Sequence, residues 1–323
     1  MKSQKSSGCC LTIAGSDSGG NAGVQADLRA FHAYGLHGCT VFAALTAQNP
    51  FGVSAIHAIP ADFVGAQLDA VLGTYDIRAL KTGMLAEPAI IETVAERLAR
   101  HPEIAKVVDP VMIATSGAKL ISDAAIETLK DRILPLATLM TPNIPEAKTL
   151  CGRAASAREL AKELQGRFGC AVLVKGGHGE GPDAVDVLYD GRDFREFTMP
   201  RVENPVSTHG TGCSLAAALA AELALGHDFA TSVAGAKRYV HAAISNSYFV
   251  GRDCGVLGFV NLAGTGPWKS QGNGRPARSA SRNVMGCKAP IVRSTSAPDC
   301  VYSSAVGNLN LCLVAFDLSG GGG

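Results

Sequence analysis

The sequence predicts an α/β protein built on a mostly parallel sheet, with helices on both faces and a small hairpin at one edge. Three observations carry that prediction. Short apolar, β-rich runs alternate with longer segments of helical period through most of the chain, the pattern of strands covered by crossover helices. After Gly177 the alternation gives way to two strand-like runs, "AVDVLYDG" and "DFREFTMP", joined at Asp190-Gly191. Apolar residues make up 47% of the 323 residues and charged ones 18%, so the chain can bury a large core.

Taken in order, "CCLTIAG" reads as the first strand and "AGVQADLRAFHAYG" as the helix that follows it. "TVFAALTAQ", "IRALKTG", "AKVVDPVM", "ATLMTPN" and "AVLVKGG" are further strand-sized apolar runs. Between them, "ADFVGAQLDAVLGTY", "AIIETVAERLARH" and "DAAIETLKDRIL" repeat their apolar residues at helical spacing. Two helices follow the hairpin, from about Thr211 to Gly226 and from Phe229 to Phe249. From about Ala263 the composition turns to "GTGPWKSQGNGRPARSASRNV", which carries neither period and reads as a flexible tail.

The charge balance excludes some partners. With 29 Lys and Arg against 28 Asp and Glu, the net charge is +1, which points away from a nucleic-acid stripe or a membrane surface and toward small molecules. No apolar run is long enough to span a bilayer, and the N-terminal apolar stretch is too short for a secretory signal, so a cytosolic location is expected. The ten cysteines show no CxxC and no zinc-site spacing.

In an open parallel sheet the ligand crevice lies beyond the carboxyl ends of the strands, so polar residues just after the apolar runs are the candidates. They are the glycines of "TIAGSDSGG", Gln48 and Asn49, Asp109, Asn143 and Glu146, and Lys175 with Gly176 and Gly177. Asp109 and Glu146 suit Mg²⁺ carrying nucleotide phosphates, while either alone is more often a solvated or capping carboxylate. Lys175 suits a point-charge phosphate contact or a surface position.

The sharpest signal is "STHGTGCSLAAALAAELALG". Gly210 and Gly212 free the backbone to point its N–H groups outward, and Leu215, Leu219 and Leu223 repeat behind them, so a helix N-terminus is offered as an anion hole. Cys213 falls in the first turn, where the helix dipole favours a thiolate; the other reading is a small buried cysteine in a tight turn. His209 and His178 read as loop or phosphate-side residues. There is no GxxxxGK[ST], and "GSDSGGNAG" does not match the dinucleotide fingerprint.

Together, "TIAGSDSGGNAGVQADLRAF", "ALTAQN", "LKTGML", "VVDPVM", "TPNIPEA", "LVKGGH" and "STHGTGCSLAAALA" closely resemble the hydroxymethylpyrimidine/phosphomethylpyrimidine kinases of thiamine biosynthesis, from about residue 9 to about residue 260. The resemblance implies a ribokinase-like three-layer α/β sandwich over residues 1–262, with residues 263–323 as the tail. It implies two successive ATP-dependent phosphorylations of 4-amino-5-hydroxymethyl-2-methylpyrimidine, in a homodimer. By the same resemblance Gln48 and Asp27 hydrogen-bond the pyrimidine edge, main chain at Gly15 and Ala22 closes the pocket, and Met84 and Val111 cover the ring faces. Asp109 and Glu146 become the Mg²⁺-side carboxylates, Asn143 and Lys175 nucleotide-phosphate contacts, Gly210, Thr211 and Gly212 the anion hole, and Cys213 the base. Related sugar kinases carry an aspartate where Cys213 stands. Two departures are the tail, which lacks the motifs of an appended thiamine-phosphate synthase, and Asn21, where the family often has glycine. The alternatives are a pyridoxal kinase of the same branch, a silent pyrimidine-binding module, and a redox role for Cys213, for which no nearby resolving cysteine exists.

Overall fold

A computed structural model describes residues 8–112, 120–177, 181–251 and 253–259. The chain divides into two units, Met1–Ser270 and Gln271–Gly323. His178 and the tail expected from residue 263 lie outside the described residues.

Strands β1 (Cys9–Asp17), β2 (His37–Asn49), β4 (Ile77–Thr82), β5 (Ala105–Val108), β6 (Leu139–Met140) and β7 (Ala171–Val174) are parallel. β3 (Gly52–Ala58) runs antiparallel to β2, and β8 (Asp183–Tyr189) and β9 (Phe194–Pro200) form the expected antiparallel hairpin. The nine strands make one sheet in the order β3-β2-β1-β4-β5-β6-β7-β8-β9. Because β1 lies between β2 and β4, the chain reverses direction across the sheet there, which opens a crevice beyond the ends of β1 and β4.

Helices cover both faces. α2 (Ala61–Leu72), α3 (Pro88–Leu98), α4 (Asp123–Arg132), α5 (Ile144–Cys151) and α6 (Ala157–Phe168) bury Leu68, Ile90, Leu129, Leu150 and Leu160 in one core. α1 (Gly23–Ala33), α7 (Thr211–Ala224) and α8 (Phe229–Ser245) bury Phe31, Leu219 and Tyr239 in the other. Neighbouring β1 residues serve both cores, Leu11 and Ile13 the first and Cys10 the second, which is why the strand reads as an unbroken apolar run.

The structure adds elements that the pattern reading lacked. β3 is an edge strand whose Ser54, Ala55, Ile56 and His57 are all exposed, so it has no core-facing alternation to read. α5 and α6 each begin with a capping box, Asn143 with Glu146 and Ser156 with Glu159, and each ends on a left-handed glycine, Gly152 and Gly169. α8 ends at Ser245, short of Phe249, because Tyr248–Gly251 pairs with Cys254–Val256 as the ribbon β10–β11.

Backbone hydrogen bonds continue past the ladders at the carboxyl rim. Asp109 N–H donates to the Thr82 carbonyl at 3.0 Å, and Thr141 N–H and Lys175 N–H donate at 2.9 Å to the Val108 and Pro142 carbonyls. These bonds set Asp109, Thr141 and Lys175 side by side along the rim.

α7 is buried almost all round, from Ser214 to Glu222, with Leu219 wholly inside. Truncation there leaves a cavity that a continuous helix cannot collapse into. Leu219→Ala is expected to cost about 2–5 kcal/mol, read as a lower midpoint of chemical denaturation at unchanged slope.

Candidate active site

A cavity of about 770 Å³ opens on the rim, and it gathers residues from widely separated parts of the sequence. Gly15, Ala22, Gln48, Met84 and Val111 line it, together with Asp109, Asn143, Glu146 and Lys175 and the helix start Gly210–Cys213. Asp27 is the exception among the expected residues. It is fully buried, with its carboxylate held by Thr12 Oγ1 at 2.6 Å and by Lys81 Nζ at 2.9 Å, and it is not among the residues that line the cavity. Lys81, which the pattern reading missed, lines the cavity instead.

The first loop is built around Asp17, at the end of β1. Its carboxylate accepts from the backbone N–H groups of Gly19 at 2.8 Å, Asn21 at 2.9 Å and Ala22 at 2.8 Å. Burial works against its charge, but His209 and these N–H groups prevail and hold its pKa below the ordinary carboxylate value. Gly23, at φ +57°, then presses on the Gly15 carbonyl where no side chain fits. Asn21 needs no glycine geometry, since its φ is not among the positive ones.

The second loop ends at Gly210, the N-cap of α7, at φ +88°. A β-carbon on Gly210 would strike the Asn21 carbonyl oxygen, so the two loops touch through glycine. Thr211, Gly212 and Cys213 follow as the first helical residues, whose N–H groups have no intrahelical acceptor. A β-carbon on Gly212 would sit 3.7 Å from Lys175 Nζ and 3.9 Å from Asp109 Oδ2, which places the helix start against the charged residues of the rim.

Those charges alternate in sign. Lys175 Nζ donates to Asp109 Oδ1 at 2.7 Å, and Thr141 Oγ1 adds a bond to the same oxygen at 3.3 Å. Burial disfavours the Lys175 ammonium, yet Asp109 and Glu146 beside it raise its pKa. Glu146 closes the α5 capping box, accepting from Asn143 N–H at 2.8 Å while Asn143 Oδ1 accepts from Glu146 N–H at 2.8 Å. Burial first, and the Asp109 charge after Lys175's opposing effect, push the Glu146 pKa well above the carboxylate range.

Cys213 departs from the expectation of a ready thiolate. Burial raises its pKa above the ordinary thiol value, Asp27 and Asp109 add to the rise, and the opposing pull of Lys81 and of Gly23 N–H does not overcome them. The helix dipole is outweighed, so the resting group is a thiol.

A family model described as phosphomethylpyrimidine kinase matches residues 17–258. The chain belongs to the phosphomethylpyrimidine kinase family. The Salmonella typhimurium hydroxymethylpyrimidine/phosphomethylpyrimidine kinase is 47% identical over 242 residues, covering 73% of this chain and 91% of that one. The thiamine biosynthesis bifunctional protein of Geobacter sulfurreducens is 46% identical over 260 residues, 79% of this chain but only 53% of its own length. The chain thus spans about half of that bifunctional relative. Among solved structures, Bacillus subtilis pyridoxal kinase in an ADP complex superposes with a TM-score of 0.72 at 33% identity, over 79% of this chain and 98% of that one. The ribokinase-like sandwich of this family is the fold found here.

Within this family member the Lys81–Asp27 pair is fully buried, both side chains being 0% exposed. Removing one partner strands the other charge. Lys81→Met is expected to lower stability by about 3–5 kcal/mol in chemical denaturation, and the double variant Lys81→Met/Asp27→Leu to recover most of that loss.

Proposed function

We propose that the chain is an ATP-dependent kinase that phosphorylates 4-amino-5-hydroxymethyl-2-methylpyrimidine and then its monophosphate, in thiamine biosynthesis. The observation that carries this reading is that one cavity is lined both by an amide and apolar side chains, Gln48, Met84 and Val111, and by a charged group, Lys175, Asp109 and Glu146, with Lys175 and Asp109 beside the Gly212 helix start. The first group suits a flat polar ring. The second suits phosphates.

Phosphoryl transfer leaves the protein chiefly positioning and electrostatic work. Lys175 and Asn143 would hold the nucleotide phosphates, and the N–H groups at the start of α7 would face the negative charge on the moving group. Asp109 and Glu146 would hold Mg²⁺, which neutralises phosphate charge when bound. Their chemistry fits: two hard carboxylates without a third acidic, histidine or cysteine ligand among the described residues suit an ion that keeps waters and phosphate oxygens. The raised Glu146 pKa is the response of a crowded carboxylate that a cation would relieve.

Cys213 would take the proton of the substrate hydroxyl, through the thiolate fraction that Lys81 and Gly23 N–H favour. The second acceptor is already an anionic phosphate and needs no base. We also read residues 1–262 as the kinase domain, the location as cytosolic and the assembly as a homodimer. The described cysteines are all free thiols, which suits a reducing compartment, and no described helix is long and apolar enough to cross a membrane.

The test is turnover of hydroxymethylpyrimidine, its monophosphate and pyridoxal with ATP, with and without Mg²⁺, followed by mass spectrometry of the products. Mono- and then diphosphate formation is expected, lost without Mg²⁺; turnover of pyridoxal alone would sink the reading. In the same assay Cys213→Ala is expected to slow the first transfer by about 10²-fold or more and the second far less. Because the thiol pKa is raised, the first transfer should speed up as pH climbs above neutral while the second stays flatter. Equal losses in both steps would remove Cys213 as the base.

A further inference from the structure

A buried lysine at the cavity has donors to spare. Lys237 of α8 donates to Asp186 Oδ2 at 2.6 Å, and its side chain is only 9% exposed. An ammonium has three protons, and Asp186 is the one protein partner that Lys237 finds among the described residues. Two donors of a desolvated charge are thus left without a protein acceptor, a costly arrangement unless something else accepts from them. Lys237 and Asp186 both line the cavity, which is where an acceptor can come from.

The placement says what kind of acceptor. Asp186 turns its other oxygen to Gly176 N–H at 2.8 Å, so one carboxylate joins Lys237 to the turn that follows Lys175. Gly176 is pressed against β8 there, because a β-carbon on it would overlap the Val185 carbonyl oxygen. Lys175 in turn stands by the start of α7, 3.7 Å from the position of a Gly212 β-carbon. Along α8, Lys237 is followed by Val240, His241 and Ile244, at the i+3, i+4 and i+7 spacing of one helix stripe, and all four line the cavity. A cation beside the Lys175 turn that gives way to a largely apolar wall suits a polyphosphate attached to a flat base.

We propose that Lys237, held by Asp186, is a binding residue for the phosphates of the nucleotide that are not transferred. This rests on the proposed kinase reading, in which the cavity takes ATP. Asp186 balances the lysine's charge, so the ammonium stays buried at tolerable cost, and a phosphate oxygen then accepts charge-assisted bonds from the two remaining donors.

The test titrates ADP and adenosine into the full chain by calorimetry, because the difference between the two ligands isolates the phosphates. The native chain should bind ADP more tightly than adenosine. Lys237→Met/Asp186→Asn removes both buried charges and keeps an amide oxygen for Gly176 N–H; it should weaken ADP about tenfold or more and leave adenosine unchanged. Lys237→Gln, which still donates to Asp186, should show the same selective loss, so the inference stays testable if the double variant does not fold. Native ADP affinity in these variants would make Lys237 a support for Asp186 alone and overturn the proposal, while leaving the kinase reading in place. An equal loss for ADP and adenosine, the mark of a disturbed cavity, would overturn it too. If the native chain binds neither ligand, the cavity is not a nucleotide site, and the kinase reading and this inference fall together.

Discussion

A fully buried charge pair fixes the geometry of the site. Lys81 of β4 meets Asp27 of α1, and Thr12 of β1 donates to the same carboxylate. Taking two charges out of water is costly, and the cost is tolerable only when both are paired at short range. The pair therefore ties β1, β4 and α1 together where the chain reverses direction across the sheet. Lys81 also lines the cavity. Burial opposes that charge, but Asp27, Cys213 and Asp109 hold the Lys81 pKa above its ordinary value, so a fixed positive charge stands under the site.

The same logic extends along the rim. Asp109 is paired with Lys175, Lys175 feels Glu146, and Glu146 is pinned by the cap of α5. A second buried pair backs this row, since Asp186 accepts from Lys237 at 2.6 Å and from Gly176 N–H at 2.8 Å. That contact fixes the turn after Lys175. Each charge at the mouth of the cavity is thus held by structure behind it, which is what preorganised electrostatics requires.

Much of this was legible in the sequence, for identifiable reasons. Parallel strands buried on both faces write continuous apolar runs, so β1, β2, β4, β5 and β7 could be read and the residues just after them proposed as a rim. β3 could not, because its exposed residues answer to no core. α5 and α6 carry capping boxes in plain view, and Glu146, legible as either a metal-side or a capping carboxylate, is found closing the cap with Asn143. Asp27 and Lys81 were the harder case. Their pairing joins residues far apart in the chain, and no local pattern distinguishes a carboxylate that faces a ligand from one that faces a buried lysine. The raised Cys213 pKa is not legible in the sequence, because the helix dipole is a local feature and the burial and carboxylates around the thiol are not.

Those carboxylates bear on why a cysteine stands at the start of α7. Asp27, Asp109 and Glu146 already place three carboxylates among the groups that Lys81 and Lys175 balance. A fourth carboxylate in the first turn would add repulsion and a further desolvation penalty in the resting enzyme. A thiol is neutral there, small enough for a turn pressed against Gly23, and still able to release a proton when a cation or a polarised substrate shifts the local field. The choice fixes the loop as well. With Gly210 against Asn21 and His209 against Asp17 and Gln48, the turn before α7 contacts the glycine-rich loop at one end and the Gln48 amide at the other. A bulkier or permanently charged residue at Cys213 would strain that junction, and the strain would reach both contacts together.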